Sequence, residues 1–147
     1  MYTWIDNYVR GIVEICDTTN IYDIYDTFNI SVVKLDINNV LLRNNEAFYY
    51  RYFDGKEIVF IRNDLNIEYE KFILAHELGH AILHTSVYHA AFNKNLINTG
   101  KLEKQANYFA VKLLNLDFYE IEYEGFTIEQ IASTLSLPVD YIKNILY

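Results

Sequence analysis

Phe72-Ile-Leu-Ala-His-Glu-Leu-Gly-His-Ala-Ile-Leu-His84 is an apolar, helix-forming run with three histidines and one glutamate set into it. Within it stands His76-Glu77-Leu78-Gly79-His80, an H-E-x-x-H pattern. On a helix, positions i and i+4 stack on one face with Cβ atoms about 5–6 Å apart. Two imidazoles so placed can grip one metal ion, and Glu77 lies beside that ion without having to be a ligand. Two histidines plus a carboxylate that takes a proton from water are what a zinc peptidase needs.

The flanks place this helix in an α+β chain. Upstream, Ile5, Tyr8, Val9, Ile12, Val13 and Cys16 recur at helical spacing over residues 3–17. A second short helix fits 20–28, capped by Asn20. Ile30 to Leu35 is β-branched and strand-like, and Val40 to Leu42 is a candidate to pair again. Residues 47–53 and 57–62 flank Asp54-Gly55, the strongest short hairpin signal in the chain. A small, mostly antiparallel sheet is therefore expected before the motif helix. That helix should start near Ile67, with Asn66 as cap and Glu68 and Glu70 in its first turn, and run to about His84. Residues 86–100 are less regular. A further helix spans about Lys101 to Leu114. Thr127-Ile-Glu-Gln130 is a capping box opening a helix to about Leu135, and Pro138 fits the first turn of a last helix to about Leu146.

Catalytic zinc takes three protein ligands and leaves one position open. His84 fails as the third on geometry: it lies eight residues beyond His76, about 12 Å along an unbroken helix. The metzincin device, a glycine after the second histidine and a third histidine ten residues after the first, is absent, since Leu83 and Ser86 stand at those positions. Glu103 is the better candidate. It shares a face with Ala106, Asn107 and Ala110, small enough for close helix approach, with Gly79 helping from the other side. A lone carboxylate on a buried face is costly unless it is paired or binds metal. Glu77 would be the general base. A second electrophile for the oxyanion could be Tyr88, His84, His89 or Tyr108, and the residues alone leave these open.

These residues resemble the ImmA/IrrE family of metallopeptidases, found in phages, integrative elements and bacterial genomes. The likeness rests on residues 72–84 followed by Glu103-Lys-Gln-Ala-Asn-Tyr-Phe-Ala110, and extends over most of the chain. It implies a zincin-like fold, His76, His80 and Glu103 as Zn2+ ligands, Glu77 as catalytic base, and site-specific cleavage of a helix-turn-helix transcriptional repressor. Gln105 stands where many members have a second Glu, and Asn115-Leu116 replaces a frequent Met-Pro.

Composition sets outer bounds. The 147 residues, 52% hydrophobic and 22% charged, suffice for one domain with a real core, and no linker divides them. A net charge of −8 repels phosphate backbones, so no direct nucleic-acid contact is expected. A single cysteine, Cys16, rules out an internal disulfide. With no signal peptide or membrane span, a cytoplasmic location is expected. The tail, residues 127–147, reads much like a helix-turn-helix, which raises a rival: a DNA-binding regulator. Its would-be recognition helix carries one cation, Lys143, against Asp140, too little for phosphate contacts, so a packing or repressor-docking role is preferred. A second rival is a metal-binding, non-catalytic domain that acts by binding a repressor. It would have no need of Glu77.

Overall fold

In a computed structural model, residues 2–84, 99–116 and 123–147 are described. The chain order is α1 (Thr3–Cys16), α2 (Ile21–Thr27), β1 (Ile30–Leu35), a 3-10 turn (Val40–Leu42), β2 (Ala47–Arg51), β3 (Glu57–Arg62), α3 (Ile67–Leu83), α4 (Thr99–Leu113), α5 (Ile128–Leu135) and α6 (Val139–Leu146). This is the α+β order that the sequence pattern predicts, and it is consistent with the zincin-like fold that the family resemblance implies.

Local chemistry sets most boundaries. The Asn20 side chain accepts from the N–H groups of Tyr22 and Asp23 to start α2, and Asn66 accepts from Tyr69 to start α3. Thr127 and Gln130 close a reciprocal capping box on α5. Gly55, at φ +90°, supplies the left-handed turn of the β2–β3 hairpin; Gly55 N–H donates to Tyr52 O at 2.9 Å.

The sheet corrects one expectation. Its order is β1-β3-β2, with β1 parallel to β3 and β2 antiparallel to it, so it is mixed rather than mostly antiparallel. Val40–Leu42 does not pair either. Asn39 caps a 3-10 turn there by accepting from Leu41 N–H, and that turn carries the chain past β1 so that β2 forms the outer edge. Asn39 was the available signal, a cap residue directly before an apolar triplet.

Helix α3 is the centre of the molecule. It is buried on nearly every side, from Tyr69 and Phe72 through Ala81, as expected of a helix apolar all round. Tyr25 of α2 donates to Leu74 O at 2.5 Å. The carboxylate of Glu70, buried in the core, is paired with Lys34 of β1 at 3.0 Å and accepts from Tyr22 of α2. Its role is therefore a tie between elements as well as a complement to the helix dipole. On the far side, Ala106, Phe109 and Ala110 of α4 are fully buried. A Cβ on Gly79 would lie 3.0 Å from Phe109 Cδ1 and 3.3 Å from Ala106 Cα, so the glycine permits the close approach of α3 and α4. The tail packs onto the same helix: Tyr141 meets Tyr69 and Phe72 edge to face at 5.7 and 5.4 Å. Asn66 donates to Ser136 O at 3.3 Å. No helix among the described residues is long and apolar enough to cross a membrane.

Candidate metal centre

Helical spacing stacks His76 and His80, and the α3–α4 contact brings Glu103 over them. Glu103 Oε2 lies 3.2 Å from His76 Nε2, and Oε1 lies 3.1 Å from His80 Nε2. The two Nε2 atoms are 3.1 Å apart. One ligand atom from each of the three residues falls within 4.8 Å of the others, so the group can hold a metal ion. His84 is not among them, as the axial distance requires.

The carboxylate of Glu103 is not on the buried part of its helix. Its side chain is 57% exposed, at the rim, while Ala106, Asn107 and Ala110 fill the contact. The expectation that burial cost would force a partner on Glu103 therefore gives way to a simpler cause: two imidazoles face it. Burial alone would raise its pKa; His76 and His80 outweigh that and hold the carboxyl well below the usual range. His76 is raised despite its burial, because Glu103 and Glu77 favour its charged form.

Behind the pair, every ring nitrogen is engaged. His76 Nδ1 lies 2.7 Å from Asn107 Oδ1. His80 Nδ1 lies 3.0 Å from His84 Nδ1, and His84 Nε2 lies 3.0 Å from Gln105 Oε1. Among the described residues no buried side-chain polar atom lacks a hydrogen-bond partner. Both Nε2 atoms therefore face the shared position with Nδ1 anchored, the arrangement metal-binding histidines adopt.

In front lies a cavity of about 360 Å³. Its walls are residues 45–49 leading into and along β2, Ile73, His76, Glu77 and His80 of α3, Glu103 of α4, and Tyr141 of α6. Glu77 is partly buried there. Burial raises its pKa, while His76, His80 and the Tyr49 backbone pull it back. A carboxylate raised in this way is suited to taking and returning a proton near neutral pH.

Of the candidates for a second electrophile, Tyr108 points elsewhere, donating to Asp6 of α1 at 2.9 Å. His84 is engaged behind the site. Tyr88 and His89 lie outside the described residues. Tyr141, which sequence reading missed, lines the cavity instead. Its phenol is pushed up to about 12, by burial first and then by Glu46, so it stays a proton donor. Nothing local in the tail signalled this. His84, by contrast, carried a usable signal, since it stands i+4 from His80 on the same helix face.

A family model for the IrrE N-terminal-like domain matches residues 26–145. The chain belongs to the ImmA/IrrE family of metallopeptidases. Relatives of this family member include an uncharacterised immunity region protein of Bacillus phage phi105, 30% identical over 95% of this chain and 87% of that protein. Another is the metallopeptidase ImmA of Bacillus subtilis strain 168, 30% identical over 91% of this chain and 79% of that protein. No solved structure matches the chain significantly. Membership of ImmA/IrrE implies a metal ion and a protein substrate, and His76, His80 and Glu103 form a group that could bind that metal.

Proposed function

We propose that the chain is a zinc-dependent endopeptidase that cuts a helix-turn-helix repressor of a phage or mobile element at one site, acting as an anti-repressor. The observation that carries this is the convergence of His76 Nε2, His80 Nε2 and Glu103 beside Glu77 in one open cavity. Two imidazoles and a carboxylate suit Zn2+. When bound, zinc supplies a Lewis acid that acidifies a water and polarises the scissile carbonyl.

The chain's own residues do the rest. Glu77 takes the proton from the attacking water and returns it to the leaving amine. Tyr141 donates its hydroxyl hydrogen to the oxygen of the tetrahedral centre. Strand β2 lines the cavity, and the Tyr49 backbone hydrogen-bonds the Glu77 carboxylate, so the strand helps to hold the base toward the position of the attacking water. The repressor assignment draws on the phage immunity-region relative. The test is to incubate the protein with a helix-turn-helix repressor encoded beside it. One discrete cut, abolished by a chelator and restored by zinc, is expected. An intact repressor, or a cut insensitive to metal removal, would contradict the proposal.

A further inference from the structure

The buried side of the site contains a third histidine, His84, which lies outside the metal-holding group. His84 and Gln105 are 4% and 6% exposed, and such polar burial is costly unless every group is satisfied. We propose that Gln105 and His84 form a hydrogen-bond relay that sets His80 as its Nδ1–H tautomer and so aims its Nε2 lone pair at the metal position. The inference rests on the reading of His76, His80 and Glu103 as ligands.

The direction of the relay follows from its end. Gln105 Oε1 offers only lone pairs, so the proton in the 3.0 Å contact is on His84 Nε2. The contact between His80 Nδ1 and His84 Nδ1, also 3.0 Å, holds one proton, because two would collide. In so dry a setting the neutral arrangement costs least, and it leaves His84 Nδ1 bare. The shared proton is therefore on His80 Nδ1, which leaves Nε2, facing Glu103 Oε1 at 3.1 Å, as the nitrogen that would give its lone pair to a bound metal. His76 anchors its Nδ1–H in one step, donating to Asn107 Oδ1. Gln105 is thus a positioning residue acting through His84, and an acceptor at its place is the requirement.

The experiment is zinc affinity by competition with a chromophoric chelator for wild type, Gln105→Leu and Gln105→Glu, together with nitrogen-15 NMR of the wild-type imidazoles. Gln105→Leu is expected to weaken zinc binding about 10- to 100-fold. Gln105→Glu, which keeps an acceptor, restores it. In the NMR spectrum His84 is expected as the Nε2–H tautomer and His80 with its proton on Nδ1. His84 protonated on Nδ1, a leucine variant that binds zinc like wild type, or a glutamate variant as weak as the leucine one would overturn the relay. The tautomer reading needs no variant, so it decides even where Gln105→Leu does not fold. Wild-type protein that binds no zinc would refute the ligand reading, and the metal-free tautomers would then still test the relay separately.

Discussion

The two faces of the histidine pair are built on opposite principles. The rear face, Asn107, His84 and Gln105, is buried, and its contacts hold both Nδ1 atoms of the histidine pair. The front face, with Glu103 at the rim and Glu77 and Tyr141 on the cavity wall, opens toward solvent. The rear is where the fold spends polar burial to hold two rings still. The front keeps its groups available for a substrate. Substitutions should sort accordingly: rear changes should cost metal affinity and stability, and changes at Glu77 and Tyr141 on the front should cost turnover rather than metal affinity.

The largest effect is expected where the faces meet. His80→Ala removes a proposed ligand and should abolish both stoichiometric zinc binding and repressor cleavage, read by metal analysis and gel. On the front, Tyr141→Phe keeps the ring contacts with Tyr69 and Phe72 and removes only the hydroxyl. It should lower kcat about 10²- to 10³-fold with zinc affinity unchanged, and it also removes the hydroxyl's hydrogen bond with Tyr69, so a small drop in melting temperature is expected; a parallel loss of zinc would contradict the division. On the rear, Asn107→Leu should weaken zinc binding about 10- to 100-fold and leave the turnover of fully loaded enzyme much closer to wild type. The smallest effect belongs to the helix contact beneath both faces. Gly79→Ala would set a Cβ 3.0 Å from Phe109 Cδ1 and should cost about 1–3 kcal/mol by overpacking, measured by denaturant unfolding.

How much of this was legible beforehand follows the same division between local and tertiary causes. Asn66 and Ile67 mark the start of α3 in the sequence because capping is a local hydrogen bond. Glu103 was reachable because a face of Ala106, Asn107 and Ala110 opposite Gly79 announces two helices in contact. The parallel pairing of β1 with β3 was not legible, since the Asp54-Gly55 turn specifies only its own hairpin and strand order depends on packing. Nor was Tyr141, which reaches the cavity only because α6 lies across Tyr69 and Phe72. The tail that resembled a helix-turn-helix instead contributes a wall of the site.

The central claim is that the front face does chemistry and that the site does more than bind metal. The most direct measurement is Glu77→Gln, assayed in one preparation for zinc content and for cleavage of the repressor. The account predicts one zinc per chain, an unchanged melting temperature and cleavage slowed about 10²- to 10⁴-fold. Cleavage at the wild-type rate by a zinc-loaded Glu77→Gln protein would contradict it.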